Sequence, residues 1–347
     1  FTGRETARPS SGAAINRFVS GLPATLLTEG LRLQRGGFML DAACASSLYA
    51  IKYACDWLQT GRADVMLAGG ASRVHGLTIH AGFTTLQALS PTGQSRPLDA
   101  NGDGLVPSEG AALVVLKRLE DARRDGSRIL GVIRGIGLAN DGRGFGLLVP
   151  SSAGQVRAME AAYRMSGLRP EEIDLVECHA TGTPVGDAAE IRSCREIFGS
   201  SRRVALGSLK SNLGHLLPTA GVAGLIKVLQ SMAHGVLPPL RALDTPHPAL
   251  AGSALQPCTA AAEWESRGLR RAAINAFGFG GNNAHLLVEQ APAAATVSVP
   301  SPELPPRDAC AVVGVAVRLG DGRDVNDFLR HQFGRDQAAA RGPMRHI

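Results

Sequence analysis

The sequence predicts an α/β fold with buried, partly parallel sheets. Short apolar blocks alternate along the chain with longer segments in which apolar residues recur every three or four positions. The short blocks are apolar at consecutive positions, as is typical of strands covered on both faces, and the longer segments have the helical period. Because helices between such strands act as crossover connections, this order favours a layered α/β architecture.

The first clear unit follows Asp41 and consists of a turn, a helix and a buried strand. Apolar residues recur from Leu48 to Leu58, Gly61 ends the helical run, and an apolar block follows at 65–68. Further strands are predicted at 111–116, 129–138, 173–178, 204–209, 272–276 and 284–288. Further helices are predicted at 155–167, 187–198 and 221–233.

Composition bounds the class of protein. The chain has 347 residues, of which 44% are hydrophobic, enough for a large core. Its net charge of +6 is small and dispersed, and aromatic residues make up only 4%, so nucleic-acid binding is not expected. No apolar stretch reaches the roughly 18 residues that a membrane helix needs, and we expect a cytoplasmic protein without a membrane span.

The C-terminal part of the chain has a different character. Residues 290–308 are rich in Ala, Pro and Ser and lack a helical or strand period, which is typical of a linker. A predicted strand at 311–319 and helix at 324–333 follow it. Because 309–347 is too short for a stable domain, we interpret it as the start of a following one.

Cys44 is the first candidate for chemistry. The six cysteines are widely spaced without a CxxC pair, so neither a disulfide framework nor a zinc site is indicated. Cys44 lies in the segment DAACASS at the start of a predicted helix. Backbone N–H groups and the helix dipole there would lower the thiol pKa and favour a nucleophile. The alternative is a buried structural cysteine.

Two histidines follow predicted strands, where loops of α/β sheets usually build active sites. The segment HATGTPVGD begins with His179, which could donate to an oxyanion or move a proton, or simply complete a turn. The segment KSNLGH runs from Lys210 to His215. A lysine near a buried turn needs a carboxylate, for which Glu190 is a candidate; a solvated lysine and a capping histidine are the alternative.

A glycine-rich turn, NAFGFGGNNAH, begins at Asn275 between two apolar strands. Its exposed N–H groups could form half of an oxyanion hole. A phosphate-binding loop is disfavoured because neither GxGxxG nor a following Lys-Ser/Thr pair is present, and an ordinary glycine hairpin stays possible. One cysteine and two histidines on separate loops together fit nucleophilic thioester chemistry.

The four segments DAACASSL, HATGTPVGD, KSNLGH and NAFGFGGNNAH, in this order, resemble the β-ketoacyl synthase domain of polyketide and fatty-acid synthases, and the similarity covers nearly all of 12–289. The segments INRFVSGLPATLLTEGL and DAACASSLYAIKYA resemble the multidomain synthases of polyunsaturated fatty acids and long-chain glycolipids more than modular synthases. The resemblance implies a thiolase-like fold of two similar halves, 1–118 and 119–289, with stacked mixed sheets in αβαβα layers.

The resemblance also implies roles for individual residues. Cys44 would receive the acyl chain, and His179 and His215 would support decarboxylation of a malonyl thioester and stabilise its enolate. The backbone N–H groups of Cys44 and Phe279 would hold the oxyanion, and Phe279 would gate the pocket. A second set has supporting or substrate-binding roles: an ion pair of Lys210 and Glu190, and contacts of Thr181, Thr183 and Phe277 with the substrate or its arm.

The implied partner is an acyl carrier protein, whose phosphopantetheine arm carries the malonyl and acyl thioesters, and no metal or cofactor is bound directly. A homodimer or a pair with a chain-length factor is expected. In the family the reactive cysteine lies deeper in the domain, so the first strands and helices are expected to be missing here. Residues 309–347 resemble the opening of another synthase-type or chain-length-factor-like domain.

Two other functions compete with the condensing enzyme. One is a thiolase-like acyl-transferring enzyme without decarboxylation, which the two histidines disfavour because thiolases use a second cysteine. The other is a truncated non-catalytic or carrier-docking domain, which the complete Cys/His/His set disfavours.

Overall fold

The computed structural model describes residues 21–74, 77–143, 146, 149–199, 203–266 and 268–291. The chain divides into two units, Phe1–Thr296 and Val297–Ile347, and all described residues belong to the first. The predicted linker after Ala291 and the predicted domain start at 309–347 lie outside the described residues. Within the described part, no helix has the length and apolarity needed to cross a membrane.

A six-stranded mixed sheet forms the largest layer of the fold, in the order β3-β10-β9-β4-β5-β7. The strands are β1 (Met66–Ser72), β2 (Gly110–Leu116), β3 (Gly131–Asn140), β4 (Leu175–Glu177), β5 (Val204–Gly207), β6 (Val236–Leu237), β7 (Leu255–Pro257), β8 (Ala262–Glu263), β9 (Arg271–Gly278) and β10 (Asn282–Gln290). Strand β4 pairs in parallel with β9 and β5, whereas β10 runs antiparallel to β3 and β9. Strands β1 and β2 form a separate antiparallel pair. The predicted α/β class with partly parallel pairing is therefore confirmed.

The helices follow the predicted periodic segments with small shifts. They are α1 (Leu22–Gly30), α2 (Ser46–Gln59), α3 (Leu77–Thr85), α4 (Leu119–Arg124), α5 (Ser152–Ser166), α6 (Pro184–Phe198), α7 (Lys210–Leu213) and α8 (Ala220–His234). The sequence did not predict α1, α3 or α4; α1 buries none of its residues and so has no core-facing stripe. The strand predicted to extend to Leu209 ends at Gly207, because Lys210 begins a helical turn.

Helices α2 and α8 pack closely in the core. A Cβ on Gly221 would lie 2.6 Å from Cγ of Leu48, so only glycine permits this approach. The N–H of Val222 donates to Oγ of Ser47 at 3.0 Å. This contact, together with the parallel pairing of β4 and β5, brings the loops that start at Ala42, Cys178 and Ser208 to one side of the sheet.

Candidate active site

Cys44 lies in a short 3-10 turn, Ala43–Ala45, that leads directly into α2. Ala43 has a φ of 51°, a left-handed conformation that is costly for a residue with a Cβ. Its N–H donates to Oδ1 of Asp41 at 2.8 Å, and its carbonyl accepts from Oγ of Ser46 at 2.6 Å. These bonds hold the turn so that the largely buried Cys44 borders a cavity.

Both predicted histidines lie beside Cys44. Nε2 of His215 is 3.0 Å from Sγ of Cys44, and one ring nitrogen of His179 lies within 4.8 Å of both atoms. The two imidazole rings are 5.4 Å apart and nearly perpendicular. The backbone of His215 is fixed on both sides, since its N–H donates to the carbonyl of Val106 at 2.7 Å and its carbonyl accepts from the N–H of Ser108 at 2.9 Å.

The backbone of Leu217 determines the tautomer of His215. The Leu217 N–H donates to Nδ1 of His215 at 3.3 Å, so Nδ1 is the acceptor and Nε2 carries the hydrogen. Burial, assisted by the charge of Lys210, holds the pKa of His215 well below 6.5, and the ring is neutral at neutral pH. A thiol and two imidazoles are also a ligand set that zinc uses, but a protonated Nε2 has no lone pair for a metal. The geometry therefore favours His215 as a hydrogen-bond donor over His215 as a metal ligand.

Two backbone donors also face the sulfur. The backbone N–H groups of Phe279 and Cys44 both act to lower the pKa of the Cys44 thiol. The glycine-rich turn can come this close because a Cβ on Gly278 would lie 2.6 Å from the carbonyl oxygen of Ala42 and 3.1 Å from the amide nitrogen of Cys44. The turn therefore brings Phe279 close to the sulfur of Cys44, where the sequence analysis expects half of an oxyanion hole.

Burial raises the pKa of the Cys44 thiol to about 11. The charge of Lys210 and the N–H groups of Phe279 and Cys44 act in the opposite direction without overcoming desolvation. The predicted lowering of this pKa is thus wrong, because the sequence pattern at a helix N-terminus does not report how completely the sulfur is buried.

A cavity of about 260 Å³ connects most of the predicted site residues. Seven of the nine line it, namely Cys44, His179, His215, Thr181, Thr183, Phe277 and Phe279. The hydroxyl groups of Thr181 and Thr183 lie 2.9 Å apart. The ring of Phe279 packs 5.8 Å from that of Phe83, a lone aromatic residue that the sequence did not single out. The cavity combines an apolar wall with a polar loop beside the reactive groups.

The predicted ion pair of Lys210 and Glu190 is not formed within 4.0 Å. Glu190 instead accepts from the backbone N–H groups of His179 at 2.8 Å and Ala180 at 2.6 Å, and from Nδ2 of Asn275 at 2.8 Å. Lys210 is buried and lies beside a small cavity next to Glu177. Burial lowers the pKa of Lys210, and the charge of Glu177 is the strongest influence that opposes this effect.

The supporting contacts of Glu177 and Asp187 were not predicted. Glu177 forms a 2.6 Å ion pair with Lys227, and its other oxygen accepts the N–H of Leu209 at 2.5 Å, next to Lys210. Asp187 accepts from the N–H groups of Leu98, Thr181 and Gly182. Asp187 is the last residue of the segment HATGTPVGD, so the motif itself could have pointed to Asp187 as an acceptor for the N–H groups of this loop. Lys227 lies in a helix without any such signal.

Comparison with family models matches most of the chain. Residues 5–122 match the N-terminal domain of β-ketoacyl synthases, and residues 130–244 match the C-terminal domain. A phenolphthiocerol/phthiocerol polyketide synthase polypeptide of Mycobacterium tuberculosis is 42% identical over 274 residues, which are 77% of this chain and 15% of that protein. The pikromycin polyketide synthase component PikAIII of Streptomyces venezuelae is 40% identical over 82% of this chain and 18% of that protein. The chain thus spans less than a fifth of these relatives.

Solved structures agree with the sequence comparison. The ketosynthase from module 6 of the bacillaene synthase of Bacillus subtilis 168 superposes with a TM-score of 0.77 and 34% identity, over 82% of this chain and 53% of that one. The PfaC keto synthase-chain length factor gives a TM-score of 0.80 and 37% identity, over 92% of this chain and 35% of that one. These matches confirm the expected thiolase-like fold. The chain therefore belongs to the β-ketoacyl synthase family, as a ketosynthase domain of the kind found in polyketide synthases.

Proposed function

We propose that this domain catalyses decarboxylative Claisen condensation of an acyl thioester with a malonyl thioester. The observation that carries the proposal is the approach of Nε2 of His215 to Sγ of Cys44 at 3.0 Å, with His179 and the N–H groups of Cys44 and Phe279 around the same sulfur. This set contains a nucleophile and several donors for developing oxyanions in a single buried site.

In the first step the Cys44 sulfur attacks the acyl carbonyl of a carrier-bound thioester. A bond forms between Sγ and the acyl carbon, the bond from that carbon to the pantetheine sulfur breaks, and the thiol proton ends on the pantetheine sulfur. The N–H groups of Cys44 and Phe279 stabilise the tetrahedral oxyanion. Lys210 assists because its charge opposes the burial that raises the pKa of Cys44.

In the second step a malonyl thioester loses carbon dioxide, and the electron pair of the broken C–C bond forms an enolate. Neutral His215, with its hydrogen on Nε2, donates to the thioester oxygen as it gains charge, and His179 acts beside it. The enolate carbon attacks the acyl group on Cys44, a C–C bond forms, and the thiolate leaves and takes up one proton. The products are a 3-oxoacyl thioester, carbon dioxide and free Cys44.

The substrates in this proposal arrive on the phosphopantetheine arm of an acyl carrier protein. Thr181 and Thr183 line the cavity with hydroxyl groups that suit the amides of such an arm. A homodimer or a pair with a chain-length factor is the proposed assembly, and the similarity to the PfaC keto synthase-chain length factor supports the second form.

The test measures carbon dioxide and 3-oxoacyl product from malonyl and acyl carrier protein. We expect both with the native chain, no 3-oxoacyl product with Cys44→Ala, and both with the matched Cys55→Ala variant, whose thiol lies outside the cavity. Product without carbon dioxide would support the thiolase-like alternative. Neither product, from a chain that melts cooperatively, would support the non-catalytic alternative.

A further inference from the structure

Behind the active site, a buried chain of hydrogen bonds joins His285 to the His179 loop. His285 and Asn275 are directly opposite each other on β10 and β9. Nδ1 of His285 lies 2.6 Å from Oδ1 of Asn275, and Nδ2 of Asn275 donates to Oε1 of Glu190 at 2.8 Å. All three side chains are at most 3% exposed. None of the three lines the large cavity, so none contacts a substrate there.

Glu190 fixes which groups donate and which accept in this series of hydrogen bonds. Burial raises the pKa of Glu190, and the donors of Asn275, His179 and Ala180 oppose this rise. Since both carboxyl oxygens accept hydrogen bonds, Asn275 turns its NH₂ group toward Glu190 and its oxygen toward His285. Nδ1 of His285 must therefore donate. Burial lowers the pKa of His285 to about 3, so the ring stays neutral and keeps this single hydrogen on Nδ1. The amide of Asn275 is held from both sides in one orientation.

Glu190 also holds the backbone at His179. The two oxygens of Glu190 accept the consecutive N–H groups of His179 and Ala180, which fixes the peptide that carries the imidazole. His215 is oriented separately, by Leu217 and by the backbone of Val106 and Ser108. The nucleophile turn has its own bonds to Asp41 and Ser46. Disturbing Glu190 therefore reaches the His179 peptide directly, whereas His215 and the nucleophile turn are held by bonds of their own.

We propose that His285 and Asn275 are positioning residues for His179, acting through Glu190, and that they serve the decarboxylation step and not the acylation of Cys44. The inference rests on the proposed function. It predicts that losing the Nδ1–H donor lets the Asn275 amide rotate, removes one of the three donors to Glu190, and loosens the His179 peptide.

The experiment compares two variants of the full chain. His285→Leu removes the donor, whereas His285→Asn keeps an N–H group near the Nδ1 position. We expect His285→Leu to slow release of carbon dioxide from malonyl carrier protein by about tenfold to a hundredfold, because small misplacements cost that much. Cys44 acylation, followed by mass spectrometry, should change less than about twofold. His285→Asn should recover most of the lost rate.

Tyr163→Phe is the matched control, since it removes a buried hydroxyl without a protein partner in the described structure, in contact with the same ring. We expect both rates to be unchanged in this variant. The proposal is overturned if His285→Leu slows both steps equally, if it slows neither, or if His285→Asn is no better than His285→Leu. Failure of the native chain to acylate Cys44 would instead contradict the proposed function.

Discussion

Nε2 of His215 lies 3.0 Å from Sγ of Cys44, although 171 positions separate the two residues. The hydrogen on Nε2 is set by the Leu217 N–H, which occupies Nδ1. The ring therefore offers a donor to the reaction centre and no acceptor. This relationship defines what His215 contributes, and a pair of amide substitutions can test it.

His215→Gln should retain more decarboxylation than His215→Asn. The amide of glutamine reaches the place of Nε2, whereas that of asparagine reaches the place of Nδ1, away from Cys44. We expect the glutamine variant to be at least about tenfold faster in release of carbon dioxide from malonyl carrier protein. Equal rates in the two variants would mean that the Nε2–H donor is not what the reaction uses.

Alkylation of Cys44 should report its raised pKa. Only the thiolate reacts, so a pKa of about 11 predicts that the rate of reaction with iodoacetamide rises about tenfold per pH unit from pH 7 to 10. Lys210→Met should slow the reaction at each pH, since the charge of Lys210 lowers the pKa of Cys44. Cys55, with a pKa of about 12, is the internal comparison in the peptide map. A plateau at pH 8 would contradict the prediction.

Gly278→Ala should separate the glycine-rich turn from the nucleophile. The new Cβ would meet the carbonyl of Ala42 and the N–H of Cys44, so the turn must move away. We expect acylation of Cys44 to slow by about tenfold or more and the free energy of unfolding to fall by about 1–3 kcal/mol. Gly82→Ala, in α3 with nothing near the new Cβ, is the control: it should keep the acylation rate and should not lower the free energy of unfolding, since alanine is the better helix former. Normal acylation in Gly278→Ala would show that the turn is not an essential donor.

His285 should make the native state sensitive to acid. Its pKa is about 3 when folded and about 6.5 when unfolded, so the unfolded state binds more protons between these values and stability falls as pH falls. From pH 7 to 5, the native chain should lose about 2 kcal/mol more unfolding free energy than His285→Leu does. Urea denaturation at both pH values measures this difference. Equal losses would mean that His285 is protonated in the folded state.

Local patterns predicted the elements that bury an apolar face or carry dense motifs. Helices α2, α5, α6 and α8 were predicted because each has a long apolar stripe, whereas α1, which buries no residue, has none. Strands β6 and β8 are only two residues long, too short for a period of two to appear. The sequence therefore predicts the core better than its periphery.

In the site, too, local patterns predicted some features and missed others. Cys44, His179 and His215 were found from motifs at loops, and the structure brings all three together. The bond from Asn275 to Glu190 was missed because it depends on the pairing of β9 beside β4, which no local pattern reports. The pKa of Cys44 was misjudged for a related reason, since burial is a property of the whole fold.

Incubation of the chain with an acyl-loaded carrier protein, followed by peptide mass spectrometry, tests the central claim most directly. We predict one acyl group per chain, confined to Cys44, lost in Cys44→Ala and kept in Cys55→Ala. An acyl group spread over several cysteines, or the same extent of acylation in Cys44→Ala, would contradict the assignment of Cys44 as the nucleophile.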